Sequence, residues 1–472
     1  MRDIFEVEED IRRLTAQLGQ MQQPDGSWRL CYENGTITDA FTIIVLRTLE
    51  IADEPLIRDL HDRILAAQSP NGAWSVYDDE RDGNLPATVE CCYALLYAGY
   101  SRETDPAIVA AKSFIRSHGG IRGVDSVLTK TMLAATGQYP WPSSFAVPLP
   151  FILLPPTFPI SIYDFSSYAR VHAIPMLLLA DRRFAKKSSR SPDLQALMDA
   201  PGGSRAGNGF SSGTPSASRA LEQLLAQIEE GIGKLAELPH LLQDAALKRA
   251  EAYMLERIER DGTLYGYATS TCLMLLALHA IGYDSRHPVV VRAVQGLKSL
   301  ICAPEGRIFV QNSPSTVWDT ALISHAMQEA GVPPTDRSIR SAAAYLLARQ
   351  HRRYGDWRIH NPDAVPGGWG FQDTNAIHPD VDDTTAALRA IRAASLTDAA
   401  FLEAWNRGLS WTLSMQNRDG GWPAFEKNTD REMLTWLPFR EARSVMIDPS
   451  SADLTGRTLE FLGNGAGLGV RH

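Results

Sequence analysis

The chain has 472 residues, of which 44% are hydrophobic and 21% charged, and its formal net charge is −9. A chain of this length exceeds one ordinary domain and has enough apolar residues for large cores. The acidic balance, with no basic stripe to offset it, argues against nucleic acid as a partner. No run of about 18 apolar residues occurs, so no membrane-spanning helix is predicted.

The N-terminal residues, MRDIFEVEEDIRRL, predict an acidic helix without the apolar core of a signal peptide. The five cysteines are Cys31, Cys91, Cys92, Cys272 and Cys302. They show no metal-ligand spacing and their number is odd, which favours a reduced, cytosolic compartment.

A short phrase, Gln-x3-Gly-x-Trp, recurs along the chain. It runs from Gln22 to Trp28, from Gln68 to Trp74 and from Gln416 to Trp422, with a looser copy at 346–357 and a weaker echo at 253–268. Each copy describes a helix that ends near Gln, a turn with Gly, and a Trp that packs back over the next helix. Alanine- and leucine-rich runs separate the copies. The pattern predicts an all-α fold of helix pairs, arranged as barrels or as a solenoid.

Two segments depart from this helical pattern. Residues 145–160, FAVPLPFILLPPTFPI, are almost wholly apolar but carry five prolines. They are expected to form either a buried irregular wall or a patch that lies on a bilayer without crossing it. Residues 186–219 are rich in Ser, Gly and Pro and are expected to be a flexible surface insert.

Asp380, Asp382 and Asp383 place three carboxyl groups within four residues, after a proline and before an apolar helical run. Like charges at this range raise the pKa of at least one member, so one carboxyl is expected to stay protonated near neutrality. With Trp369 and Phe371 just upstream, such an acid suits the protonation of a carbon–carbon double bond. The alternative is helix capping by Asp380, with Asp382 and Asp383 favouring the positive N-terminal end of the helix.

Together, the Gln–Trp phrases and Asp-x-Asp-Asp-Thr at 380–384 resemble the class II triterpene cyclases of the squalene–hopene cyclase family, over essentially the whole chain. The segments TVWDTALIS, VPGGWGF and DPSSADLTGRTLEFLG are most similar to its bacillus-type branch. The resemblance implies two α/α barrels, one inserted into the other. Residues 1–30 and 311–472 are expected to form the acid-bearing barrel, and residues 31–310 the inserted one.

The resemblance also implies a reaction. Asp382 is expected to protonate the terminal double bond of a linear or partly cyclised polyprene, supported by Asp380 and Asp383. Arg457 stands where hopene-forming members carry a histidine, and is expected to hold the carboxylate that forms. The alternative for Arg457 is an ordinary salt bridge at a helix N-terminus.

Further residues match family positions that face the substrate. Trp318, Phe371 and Phe425 are expected to stabilise carbocations through their aromatic faces, with ordinary core packing as the alternative. Glu90 matches a typical acidic position whose role stays open. No metal and no cofactor is implied, because the acid itself starts the reaction.

The expected partners are a lipid-soluble polyprene and a membrane surface, with a homodimer as a further expectation. The protein is expected in the cytoplasm, monotopic on the inner face of the cell membrane. Family members continue beyond the segment around Arg457, so the chain is expected to be truncated, with an incomplete acid-bearing barrel, an exposed apolar seam and uncertain activity. The competing readings are a class II diterpene cyclase acting on a prenyl diphosphate, and an inactive α/α-barrel binding module.

Overall fold

The computed structural model describes residues 4–33, 35–77, 79–141, 147–199, 215–235, 239–437 and 443–466. In chain order the α-helices are α1 (Ile4–Met21), α2 (Ile37–Thr48), α3 (Glu54–Ala66), α4 (Leu85–Ala98), α5 (Pro106–Ser117), α6 (Val127–Ala135), α7 (Ser167–Asp181), α8 (Pro215–Leu235), α9 (Pro239–Glu256), α10 (Ala268–Ala280), α11 (Pro288–Ser299), α12 (Thr316–Glu329), α13 (Arg337–Arg349), α14 (Val381–Ser395), α15 (Ala399–Ser414), α16 (Arg443–Met446) and α17 (Ala452–Ala466). Two short strands, β1 (Ile301–Cys302) and β2 (Phe309–Val310), pair antiparallel. The prediction of an all-α fold is therefore confirmed.

The residues cluster into two compact units. Unit 1 comprises residues 1–32, 313–430 and 448–472, and unit 2 comprises residues 33–312 and 431–447. In the sequence, unit 2 is thus inserted into unit 1. Residues 431–447, near the end of the chain, belong to unit 2 again.

Unit 2 has the two layers of an α/α barrel. Helix α2 packs on α4 and α10, α10 packs on α7, and α7 packs on α6, which gives an inner layer. The outer helices α3, α5, α9 and α11 pack on these inner helices. The inner helices α2, α4 and α10 are buried on nearly all sides, as helices enclosed by neighbours are. Helix α4, for example, is buried from Ala87 to Ala98.

Unit 1 repeats this arrangement around α14. Helices α12 and α17 flank α14 in the inner layer, while α13 and α15 pack outside it. The core of the unit includes Val317, Trp369, Leu388, Trp405 and Phe461, all of which are buried. Helix α14, which begins at the acidic residues, is therefore packed against four other helices.

The Gln–Trp phrase works as a clamp between successive helices. In the second copy, Gln68 Nε2 donates hydrogen bonds to the carbonyls of Gly72 (3.0 Å) and Ala107 (2.9 Å), the latter at the start of α5. Trp74 donates from Nε1 to Ile64 O at the end of α3 (2.7 Å) and from its backbone N–H to Thr88 Oγ1 in α4 (3.1 Å). One phrase therefore joins two outer helices and one inner helix.

The same Gln–Trp clamp recurs in unit 1. Trp28 Nε1 donates to Leu18 O (2.7 Å) and its N–H donates to Thr320 Oγ1 (3.0 Å). Trp422 Nε1 donates to Thr412 O (2.8 Å), and its N–H to Thr455 Oγ1 (3.0 Å). The assignment of the Trp phrases to structure agrees with these bonds, since the indoles are buried and fully used as donors.

The looser copy at 346–357 is completed by a different tryptophan from the one its sequence suggests. Gln350 Nε2 donates to Gly367 O and Ala404 O, both at 2.7 Å. The clamping indole is Trp369, whose Nε1 donates to Leu346 O at 2.7 Å. Trp357 is buried, but its Nε1 has no hydrogen-bond partner. An insertion between Gln and Trp hides this copy from a fixed-spacing pattern.

The structure also places the two irregular segments. Within 147–160, which lie in unit 2, Val147, Leu149, Phe151, Ile152 and Leu154 are buried, as in the buried-wall alternative, whereas 155–157 and Pro159 are exposed; 145–146 lie outside the described residues. In the expected flexible insert, Leu194, Leu197 and Met198 are buried, and 215–219 belong to α8. Residues 200–214 lie outside the described residues.

The turn glycines of the Gln–Trp clamp allow a direct test of close packing. Gly72 and Gly420 both have positive φ, +86° and +89°. A Cβ on Gly72 would lie 2.7 Å from the backbone of Ala110, whereas a Cβ on Gly420 would meet no described atom within 4 Å. We expect Gly420→Ala to lower the free energy of unfolding by about 1–2 kcal/mol through left-handed strain alone. Gly72→Ala should lose about 1–3 kcal/mol more through overpacking.

Urea unfolding of the two variants measures this difference. Equal losses of stability in Gly72→Ala and Gly420→Ala would show that the close approach of α5 to the turn contributes nothing.

Candidate active site

The N-terminus of α14 begins with a capping side chain, as do those of the inner helices α4, α6 and α7. Asp380 is its N-cap: Oδ1 accepts from the N–H of Asp383 (2.7 Å), and the Asp380 N–H donates to Trp369 O (2.9 Å). Thr384 Oγ1 accepts the N–H of Trp369 (2.9 Å) and completes the Gln–Trp clamp. The capping alternative is therefore right for Asp380.

Helix α4 begins in the same way and shows what the fold alone requires. Asn84 donates its N–H to Trp74 O (2.8 Å), and its Oδ1 accepts from the N–H of Ala87 (3.0 Å). At the two positions that correspond to Asp382 and Asp383, α4 carries Pro86 and Ala87. One capping side chain is enough to start such a helix, so the two additional carboxyl groups of α14 have no structural counterpart in α4.

Asp380 and Asp383 form a buried carboxyl pair. Burial raises the pKa of Asp380 to about 6, and it raises the pKa of Asp383 well above its ordinary value, where the charge of Asp380 adds to the effect. Asp383 Oδ1 is buried and has no hydrogen-bond partner among the described residues, an environment that disfavours a charged oxygen. Asp383 therefore keeps its proton, and Asp380, which accepts backbone hydrogen bonds, is the member of the pair that ionises first.

Asp382 differs from both neighbours because it is partly exposed, at 27% of its side chain. Its Oδ2 accepts a hydrogen bond from Arg457 Nη1 at 2.6 Å, in a salt bridge between α14 and α17. Among the described residues no hydrogen bond reaches its Oδ1. Burial raises the pKa of Asp382 above the ordinary value although Arg457 acts in the opposite direction. The structure thus brings Asp382 and Arg457 together, as the sequence predicts.

Two acidic residues at this site escape sequence reasoning. Asp319, next to Trp318 on α12, accepts from the N–H of Leu30 (3.0 Å) and from Ser315 Oγ (2.9 Å), and its charge opposes ionisation of Asp383. Burial raises its own pKa. Asp319, the Asp of TVWDT, can be recognised as part of this site only when the fold shows that α12 packs beside α14.

Asp448 is the second of these residues, and it shapes the loop in front of α14. It accepts three backbone hydrogen bonds, from Ala424 (2.9 Å), Phe425 (2.6 Å) and Glu426 (2.7 Å). Ala424 O in turn accepts the N–H of Val381, the first residue of α14, at 2.9 Å. Asp448 therefore holds the segment that carries Phe425 against the acidic helix start.

The three predicted aromatic residues lie on separate segments of unit 1. Phe371 O accepts the N–H of Val317, beside Trp318, at 3.1 Å, and the Phe371 ring packs edge-on against Tyr32. Phe425 stacks on the imidazole of His378, with ring centroids 4.4 Å apart. Trp318, Phe371 and Phe425 are all half-buried, whereas the Trp of each clamp is fully buried. They therefore keep ring surface that core packing does not use.

Glu90 lies in unit 2, on the inner helix α4, and is buried. It accepts a hydrogen bond from Thr129 Oγ1, and the hydroxyls of Thr129 and Ser126 are hydrogen-bonded to each other at 2.6 Å, with Thr129 Oγ1 as the acceptor. Ser126 lines an apolar cavity of about 320 Å³ in unit 2, together with Phe151, Phe165, Tyr168 and His172. Burial lowers the pKa of His172 to about 4, so the lining of this cavity carries no charge from the imidazole at neutral pH.

Within the described ranges, His, Cys, Asp and Glu side chains nowhere form a group of three or more that could hold a metal ion. Over the same ranges, no helix is both long enough and apolar enough to cross a membrane.

An all-α protein with two helical units and an Asp-x-Asp-Asp helix start inside one of them has the architecture of a class II terpene cyclase. The squalene-hopene cyclase N-terminal domain matches residues 11–305, and the squalene-hopene cyclase C-terminal domain matches residues 314–468. The chain belongs to the squalene–hopene cyclase family.

Individual relatives agree with this assignment. Sporulenol synthase of Bacillus subtilis strain 168 is 43% identical over 99% of this chain and 73% of its own length. Squalene–hopene cyclase of Alicyclobacillus acidocaldarius is 30% identical over 96% of this chain and 70% of its own length. The resemblance to the bacillus-type branch is confirmed by the higher of these identities.

The buried pair makes stability depend on pH. Because Asp380 and Asp383 hold protons more tightly when folded, their contribution is fully present below about pH 4, the ordinary aspartate pKa, and is lost as pH rises through about 6, the folded pKa of Asp380. Asparagine at 383 keeps a donor towards Asp380 but cannot ionise. As pH rises from 4 to 8, we expect the free energy of unfolding to fall less in Asp383→Asn than in the wild type. Urea unfolding at several pH values measures this fall. A slope equal to that of the wild type would contradict a buried, shared proton.

Proposed function

We propose that this chain polycyclises a linear or partly cyclised polyprene, squalene or tetraprenyl-β-curcumene, by protonating a terminal carbon–carbon double bond. The observation that carries the proposal is the asymmetric environment of Asp382. Arg457 holds Oδ2 at 2.6 Å, and among the described residues Oδ1 has no hydrogen-bond partner. An Oδ1–H group is therefore available to an alkene, while the other oxygen is already bound to the cation that stabilises the product carboxylate.

The surroundings of Asp382 reconcile two opposing demands on the acid. It must carry a proton, and burial favours the protonated form by raising its pKa. It must also release the proton to a weak base, and Arg457 favours the carboxylate that remains. Each pKa unit corresponds to about 1.4 kcal/mol of difference between the two protonation states. Asp380 and Asp383 support the acid, because Asp383 stays neutral and limits the negative charge beside it.

In the first step, the Asp382 Oδ1–H bond breaks and its proton adds to the terminal alkene carbon. The alkene electrons form the new C–H bond and leave a carbocation, while Asp382 becomes a carboxylate bound to Arg457. Each further double bond then attacks the cation and closes a ring, and either loss of a proton or addition of water ends the sequence. The side chains of Trp318, Phe371 and Phe425 supply aromatic faces, each of which stabilises a desolvated cation by about 2 kcal/mol or more.

Unit 2, taken by itself, holds an apolar cavity and none of the proposed acid residues. Its cavity is lined almost wholly by apolar side chains, which suits a hydrocarbon chain better than a charged substrate. We assign Glu90 a positioning role, since its contact with Thr129 supports Ser126 in the cavity wall. We also propose that the protein takes its substrate from the cytoplasmic face of the membrane as a peripheral protein, because polyprenes dissolve in lipid rather than in water.

Removal of the acidic proton tests the central step. We expect Asp382→Asn to lower kcat by at least about 1000-fold, since an amide cannot protonate an alkene and the uncatalysed step is negligible. Asp398→Asn is the matched control: Asp398 caps the neighbouring helix α15, where it accepts from the N–H of Ala400 (2.8 Å). Its turnover should equal that of the wild type. Gas chromatography with mass spectrometry of the products measures both, and full turnover by Asp382→Asn would refute the proposal.

A substrate comparison separates the proposal from its competitors. The purified chain is incubated in detergent with squalene, with tetraprenyl-β-curcumene and with geranylgeranyl diphosphate. We expect cyclic products of unchanged hydrogen count, or their hydrates, from at least one of the two hydrocarbons and none from the diphosphate. Cyclisation of geranylgeranyl diphosphate alone would identify a diterpene cyclase instead, and no product from any of the three would favour a binding module.

A further inference from the structure

Arg389 makes a second connection between the acidic helix and the helix that carries Arg457. It lies on α14 seven residues after Asp382, two turns or about 10 Å further along the same face. Its Nη2 donates to the backbone carbonyl of Arg457 at 2.7 Å, and its guanidinium forms an ion pair with Glu460 on α17. The two helices are thus joined at two levels, by Asp382 with Arg457 and by Arg389 with Glu460.

The second connection matters because the first is weak by itself. The side chain of Arg457 is 47% exposed, and Asp453 also attracts it, at 3.3 Å from Nη2. Exposed ion pairs typically stabilise by only about 0–1 kcal/mol, because water competes and two long side chains lose freedom. Arg389 is better enclosed, with 24% of its side chain exposed, and it binds the main chain of Arg457 rather than its mobile end. It therefore fixes the point from which Arg457 reaches Asp382.

Arg389 also changes the charge around Asp382. From α17, Arg457 favours the carboxylate and Asp453 disfavours it; from α14 itself, Arg389 favours it. Asp380 and Asp383 lie beside Asp382 on the same helix turn. From α12, Asp319 acts on Asp383, and His325 faces Arg389, Arg392 and Glu460. Arg389 is therefore the second cation near Asp382, and its charge reaches the acid without a direct contact.

We propose that Arg389, held by Glu460, is a positioning residue that keeps Arg457 on Asp382 and adds a second positive charge behind the conjugate carboxylate. This inference rests on the proposed role of Asp382 as the acid. Arg389 does not touch the reacting atoms; it acts through Arg457 and through its field.

The chain offers a matched set of variants. Arg389→Met removes the charge and the contact while keeping most of the apolar stem, and Glu460→Gln removes only the anchor. Arg392→Met is the control, because Arg392 lies on the same helix three residues later and its side chain makes no hydrogen bond or ion pair within the described ranges. The exchange Arg389→Glu with Glu460→Arg restores an ion pair between the helices but reverses the charge that α14 presents to Asp382.

We expect Arg389→Met to lower kcat about 10-fold with KM within about twofold of the wild type, and Glu460→Gln to have a smaller effect in the same direction. Turnover should decline as pH rises through the pKa of Asp382. Loss of a nearby cation moves that midpoint upward, by about half a pH unit for a charge at this range. Arg392→Met should leave kcat and the midpoint unchanged. The exchange should regain stability towards urea but keep the raised midpoint and the low kcat.

A purely structural role predicts something else, namely that the exchange recovers kcat and that no variant moves the pH midpoint. Either result would overturn the inference. A measurement without turnover separates it from the proposed function: the Asp382 carboxyl carbon, assigned in ¹³C NMR spectra by its absence in Asp382→Asn, is titrated in the wild type and in Arg389→Met. A higher midpoint in Arg389→Met supports the inference even if no polyprene is cyclised, and identical titrations refute it even if squalene is.

Discussion

The Gln–Trp clamp is the interaction on which the rest of this structure depends. Each buried indole donates to the end of one outer helix, and the N–H of the same Trp donates to a threonine of the next inner helix, as with Trp74 and Thr88 or Trp369 and Thr384. These bonds satisfy polar groups that would otherwise be buried without partners at the helix ends. Inner helices such as α4 and α10 can then be almost wholly buried, because their ends are held by neighbours rather than by water.

The proposed acid is an addition to one of these helix starts. Asn84 of α4 and Asp380 of α14 occupy the same place and make the same backbone bonds. What distinguishes α14 is the pair of carboxyl groups that follow. Asp383 points into the protein and keeps its proton, while Asp382 is partly exposed and bound to Arg457. Adjacent residues of one helix turn thus hold a neutral and an ionisable carboxyl, because successive side chains of a helix leave it in different directions.

Arginine in place of histidine changes what the partner of the acid can do. Histidine can return a proton, whereas arginine stays charged and only stabilises the carboxylate. A second cation, Arg389, lies on the same helix as Asp382 and also favours its carboxylate. Burial and Asp453 raise the pKa of Asp382, and the cations Arg457 and Arg389 lower it. If Asp382 is the acid, as proposed, its strength is therefore a property of the α14–α17 contact rather than of the motif.

Much of this protein is determined by local sequence. The recurrent Gln-x3-Gly-x-Trp phrase determines the helix pairs, because turn glycines and clamping side chains act over a few residues, and the Asp-x-Asp-Asp-Thr run determines where the acid lies. Only the tertiary structure decided that Trp369, rather than Trp357, completes the clamp of Gln350. It also decided that Asp319 acts on Asp383, that Asp448 holds the loop in front of α14 and that Arg389 binds the main chain of Arg457, since each of these contacts joins segments far apart in the sequence. Contacts across such distances depend on how helices pack, and the spacing of residues within a single motif does not determine that packing.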